Sequence, residues 1–177
     1  MKKIITILMI AFVLAIFKAD TVSAYSYVAE TSGELKARED KKIDTDFRVL
    51  RLRDFFESYN SPLTGYADTM VENADRYGLD WRLVPAITGV ESTFGKRIPY
   101  KSYNAYGWAN GEFRFESWED SIETVSASLR ENYLDKGAAS ISRIARRYAP
   151  PSTTWGRNVR FFMGKIDPLP TTFDLEG

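Results

Sequence analysis

Apolar positions recur at helical spacing along most of the chain. Val49, Leu52, Phe56 and Tyr59 share one face, and Ser61-Pro62 ends that segment. Ala67 to Tyr77 reads as a second helix, stopped by Gly78. Asp80 is placed as the N-cap of a third, running to about Ser92, with Pro85 near its first turn as a reason for a kink or a late start. The clearest stripe begins after Ser117: Trp118, Ile122, Val125, Leu129 and Tyr133 recur at intervals of 4, 3, 4 and 4. Ser117 and Asp120 have the spacing of a capping box, with Asp a weaker third-position partner than Glu. A short helix near Ser140 to Tyr148 ends at Pro150-Pro151, and a last one carries Trp155, Val159, Phe162 and Ile166 at 4, 3 and 4. Only Tyr106 to Phe115 has strand character. Asn110-Gly111 is a type I′ turn signal, with Tyr106-Gly107-Trp108 before it and Phe113-Arg114-Phe115 after it. The expectation is a mainly α domain with one short β-hairpin.

The ends of the chain read differently. A basic start, Met1-Lys2-Lys3, precedes a 14-residue run, Ile4 to Phe17, that is apolar but for Thr6, and then the small residues of Val22-Ser23-Ala24. That is the layout of a secretory signal peptide over residues 1–24, cut after Ala24. The run is shorter than the ~20 apolar residues of a membrane-spanning helix. The expected destination is therefore outside the cytoplasm, secreted or in the cell envelope, and membrane-anchored if the segment is not removed. Residues 25–46 are polar, charged and without apolar period, a flexible stalk. The folded domain is expected over 47–167. Residues 168–177, with Pro168 and Pro170, read as an irregular tail.

Composition narrows the chemistry. The 177 residues suffice for one domain, and 44% hydrophobic residues supply its core. Lys and Arg number 24 against 24 Asp and Glu, which argues against electrostatically driven nucleic-acid binding. The chain has no His and no Cys. That removes a Ser-His-Asp triad, a Cys nucleophile, disulfides, and metal sites built from imidazole or thiolate. No metal and no cofactor is implied. Acid–base chemistry falls to Asp, Glu, Lys or Tyr.

Glu91 is the carboxylate whose position invites a raised pKa. In the third helix Leu83, Ile87, Val90 and Phe94 share a face, and Glu91 lies roughly 80° from Leu83, on the flank of that stripe. Partial desolvation favours the neutral acid, which a general acid near neutral pH requires. The plain alternative is a boundary glutamate near a helix C-terminus, hydrogen-bonded or solvated. Gly89, inside the same helix at a cost of about 1 kcal/mol relative to Ala, suggests close approach by another helix backbone. Aromatic residues make up 14% of the chain, and four of them, Tyr100, Tyr103, Tyr106 and Trp108, cluster just downstream. Aromatic faces stack on the apolar faces of sugar rings, although the same rings can simply pack a hairpin onto helices.

These residues resemble a known superfamily. Gly78-Leu79-Asp80-Trp81-Arg82-Leu83-Val84-Pro85-Ala86-Ile87, ending in Glu91-Ser92-Thr93-Phe94-Gly95, resembles the catalytic helix of the lysozyme-like superfamily. The likeness is to glucosaminidase domains of the mannosyl-glycoprotein endo-β-N-acetylglucosaminidase type and to soluble lytic transglycosylases. Tyr103-Asn104-Ala105-Tyr106-Gly107-Trp108 is similar to the glucosaminidase segment that leads into its hairpin. Phe115 to Ile122 resembles the helix start after that hairpin, and Tyr148-Ala149-Pro150 followed by Trp155 resembles the closing motif whose Tyr faces the cleft. The resemblance spans about Leu50 to Ile166. The Gly-Leu-Met-Gln segment of soluble lytic transglycosylases is absent.

The resemblance implies a monomeric lysozyme-like helical domain that cleaves β-1,4 bonds between amino sugars in peptidoglycan glycan strands. It makes Glu91 the catalytic general acid and puts Tyr103, Asn104, Trp108 and Tyr148 along the glycan cleft. Tyr148 is expected to hydrogen-bond the reacting sugar or Glu91. Glu112 and Glu116 are the candidates for a second carboxylate. Three routes are open for the second step: water activated by that carboxylate, attack by the substrate's N-acetyl group, or attack by the sugar's own 6-hydroxyl. The last would make the protein a lytic transglycosylase that leaves anhydro ends. A glycan-binding wall protein without turnover is the reading from another class.

Overall fold

The computed structural model describes residues 46–168. The expected signal peptide, the stalk up to residue 45 and the tail from residue 169 lie outside the described residues. Among the described residues six α-helices follow one another: α1 (Phe47–Ser58), α2 (Ala67–Tyr77), α3 (Leu83–Ser92), α4 (Trp118–Ser128), α5 (Ile141–Tyr148) and α6 (Trp155–Ile166). None of them is long and apolar enough to cross a membrane.

Local chemistry sets their ends. Asp46 caps α1 through a 2.8 Å bond from the Arg48 N–H. Gly78 closes α2 in the left-handed conformation at φ 60°. Pro85 falls in the first turn of α3, which starts late, at Leu83. Asp80 still organises the entry, accepting the Arg82 N–H at 2.9 Å. Ser117 caps α4 through the Asp120 N–H at 3.1 Å, but the return bond differs from a capping box. The Asp120 carboxylate takes the Glu116 N–H, one residue further out, at 3.0 Å.

Leu83, Val84, Pro85, Ala86, Ile87 and Thr88 of α3 are all buried, so this helix is covered almost all round rather than on one stripe. Its largest contact is with α6, while α2 packs on α4 and α5 on α6. The close neighbours of Gly89 are aromatic rings, not a helix backbone. A Cβ there would stand 2.5 Å from the Phe94 ring and 3.0 Å from that of Phe162. Phe94 is the hub of that nest, with the rings of Tyr59, Phe162 and Phe55 centred 4.4, 5.0 and 5.2 Å away. After α4 the chain widens into a π-helical turn, Leu129–Leu134. The expected stripe holds through Leu129, which is buried. Tyr133, inside the wider turn, is only half-buried.

The expected β-hairpin does not form, and no strand occurs among the described residues. The local turn signal is nevertheless obeyed. Asn110 and Gly111 have φ of 57° and 86°, and the Glu112 N–H donates to the Ala109 carbonyl at 3.1 Å. Ala109 is left-handed as well, at φ 50°, so three successive residues, Ala109 to Gly111, coil with positive φ and the chain does not enter the turn extended. Buried Asn104 takes the backbone groups a ladder would use. Its amide donates to the carbonyls of Trp108 (2.9 Å) and Phe113 (3.1 Å), and its oxygen accepts the Trp108 N–H (3.0 Å).

Candidate active site

Glu91 stands in the last turn of α3, and the residues after it fix that turn in space. Thr93, Phe94 and Gly95 are all left-handed, with φ of 55°, 59° and 78°. For the first two this costs about 1–2 kcal/mol each. The Phe94 ring nest and the Ser92 hydroxyl hold the bend. Ser92 is buried; its hydroxyl lies 2.9 Å from the Ala105 carbonyl and accepts the Gly95 N–H at 2.9 Å. Ser92 thus ties the end of α3 to the 102–108 loop, and brings Glu91 against Gly107.

Gly107 sits at φ 67°, where a Cβ would stand 2.8 Å from Glu91 Oε2. Glycine is required twice over, for the conformation and for the space. The other oxygen, Oε1, accepts the indole N–H of Trp155 at 2.6 Å. Among the described residues no Lys or Arg forms an ion pair with Glu91. Burial pushes its pKa above the ordinary 4.5, and the Trp155 bond pulls it back only in part.

Trp155 opens α6 and stacks on Tyr148 at the end of α5, ring centres 4.8 Å apart and 26° from parallel. The Tyr148 hydroxyl donates to the Tyr106 carbonyl at 2.7 Å, not to Glu91. Burial, then the negative charge of Glu91, hold the Tyr148 hydroxyl neutral well past the ordinary range. A cleft of about 460 Å³ opens beside this group. Trp108, Gly107, Tyr148, Tyr133 and Arg147 are among its walls. Glu91 is not itself one of these walls; it lies against Gly107, which is one, and holds Trp155, which stacks on another, Tyr148.

The remaining sequence candidates lie elsewhere. Asn104 is buried and spends its amide inside the loop, while Tyr103 packs edge-on to Trp118 at 5.4 Å; neither borders the cleft. Glu112 and Glu116 are exposed and line no part of it. Trp155 as partner of Glu91, and Gly107 as the gap in front of it, were not legible in spacing; their one signal is the placement of a Trp and a Gly beside Tyr-containing segments. No group of acidic side chains that could hold a metal occurs among the described residues. Compared with known proteins, the chain matches no family model and no curated protein.

Chemically, the arrangement is one carboxyl inclined to keep its proton, fixed by a neutral donor, and set against Gly107 of a cleft with aromatic walls. It is suited to giving a proton to an uncharged substrate with apolar faces.

Proposed function

We propose that this chain is an exported glycosidase of the lysozyme-like superfamily, acting on peptidoglycan, with Glu91 as general acid. One observation carries the reading: a half-buried carboxyl with a raised pKa, with no ion-pair partner among the described residues, stands beside an aromatic-walled cleft. The signal-peptide layout of residues 1–24 supports export.

Glu91 protonates the bridging oxygen as the bond from the sugar's C1 to that oxygen breaks. The two candidates for a second carboxylate, Glu112 and Glu116, are exposed and have no contact with Glu91 or Gly107, which fits a second step that needs no second carboxylate. In the transglycosylase form the sugar's own 6-hydroxyl oxygen bonds to C1, and the Glu91 carboxylate recovers the proton that oxygen sheds. Proton and charge then balance without water. Trp108 and Tyr148 supply the stacking faces, and Arg147 a cation for an acidic substituent of the glycan.

The test is digestion of purified peptidoglycan, followed by mass spectrometry of the released ends. Ends lighter by one water indicate the transglycosylase, and reducing ends indicate hydrolysis. Binding of glycan strands with no release of fragments by the parent protein would replace the enzyme with a wall-binding protein.

A further inference from the structure

A second concavity runs between α5 and α6. It holds about 250 Å³ and is bordered by Arg146, Arg157, Arg160 and the hydroxyl residues Ser142, Ser152 and Thr153. It shares no residue with the cleft beside Glu91; of the neighbours on α5, Arg147 borders the cleft and Arg146 this groove. Helix α5 is the wall between them.

The charge here is segregated. From Lys136 to Ile166 the chain has seven lysines and arginines and no Asp or Glu, although the whole sequence is neutral. Arg146 and Arg157 are exposed and form no ion pair among the described residues. The Arg160 guanidinium is steadied by a hydrogen bond to the Ser142 hydroxyl. The walls are close-set, since a Cβ on Gly156 would come 3.3 Å from that of Ala145.

We propose that this groove binds the phosphate groups of a phosphodiester-linked polyol polymer. Guanidinium forks approach from two helices, with hydroxyl donors between them. That suits a tetrahedral oxyanion, whose oxygens point in several directions, better than a planar carboxylate. The pattern extends past one phosphate: Arg157 and Arg160 stand one turn apart on α6, at the i, i+3 spacing, and Arg146 borders the groove from α5. A chain with regular negative charges can meet all three, which a free phosphate cannot. No aromatic ring borders the groove, so nothing there stacks on a nucleobase. The inference does not rest on the glycosidase reading.

Isothermal titration calorimetry of the intact protein tests it, with poly(glycerol phosphate), inorganic phosphate, polyglutamate and a single-stranded oligonucleotide as probes. The polyol phosphate is expected to bind saturably, and at least about tenfold more tightly than the other three. The Arg146→Ala/Arg157→Ala double variant should lose at least about tenfold of that affinity. Arg53→Ala, an exposed arginine on α1, and Glu91→Gln should both keep the parent affinity. Arg157→Gln alone is the second variant, with thermal melts to verify folding, and it should weaken binding in the same direction. Equal binding of polyglutamate, oligonucleotide or free phosphate would overturn the assignment, as would parent-like affinity in the double variant.

Discussion

The two ends of α3 treat their charges in opposite ways. At its start Asp80 and Arg82 are buried together, side chains 5% exposed on each, with guanidinium–carboxylate bonds of 2.6 and 2.9 Å. Arg82 also donates to the Asp167 carbonyl at 3.0 Å, fastening the helix to the chain beyond α6. At its end Glu91 has an indole for a partner and, among the described residues, no cation. A buried ion pair is costly to break from one side, whereas an unmatched carboxyl costs stability as it stands. The first arrangement serves the fold. The second is a burden on the fold, and it is the one beside the cleft.

Substitutions can break that contrast. Glu91→Gln should lower peptidoglycan turnover by about 10²–10⁴-fold, the loss expected for a general acid, while the melting temperature holds or rises. The sign of the pH dependence follows from the raised pKa of the folded state. The stabilisation Glu91 gives is full below the ordinary 4.5 and is lost as pH rises through the higher folded value. The variant's advantage in stability should accordingly appear at neutral pH and vanish in acid. Parent-like turnover in Glu91→Gln would end the general-acid assignment.

Arg82→Ala should do the reverse. It strands the Asp80 carboxylate in the interior and should cost about 3–5 kcal/mol in urea unfolding, with per-molecule activity of the folded fraction retained. A loss below ~1 kcal/mol would remove the contrast on which this comparison stands.

Gly107→Ala sharpens the other end. It forces a left-handed alanine, at about 1–2 kcal/mol, and pushes on Oε2. Turnover should fall by roughly 10–10²-fold, with kcat affected more than KM. An unchanged kcat would show that Glu91 does not need its present position. The smallest effect expected is from Trp155→Phe. Removing the indole donor takes away what holds the Glu91 pKa down, so the alkaline limb of the pH–rate profile should move to higher pH. A shift toward acid would assign that limb to another group.

Much of the helical frame was legible because each signal was local. Gly78 ends α2 where a left-handed residue is needed, and Ser117 and Ser140 cap α4 and α5 with their own hydroxyls. The Asn110-Gly111 turn is local too, and it forms. What failed was the inference from turn to hairpin, because Asn104, several residues upstream, captures the backbone groups of the would-be strands. The flank position of Glu91 could be read from period alone. Its surroundings could not: Trp155 is 64 residues away in sequence, and Gly107 meets it only because Ser92 fastens the loop. The segregated charge of α5 and α6 was hidden by a net charge of zero, which averages opposite regions.

The bond from Trp155 to Glu91 also has an optical consequence. An indole hydrogen-bonded to a carboxyl and stacked on a phenol reports the state of both through its emission. As Glu91 gives up its proton a full negative charge replaces a neutral carboxyl at the oxygen the indole N–H donates to, and the Trp155 band should move with it. The difference in fluorescence between parent and Glu91→Gln, followed across pH, would therefore titrate this one group without substrate. The molecule carries its own indicator for the acid on which its proposed chemistry depends.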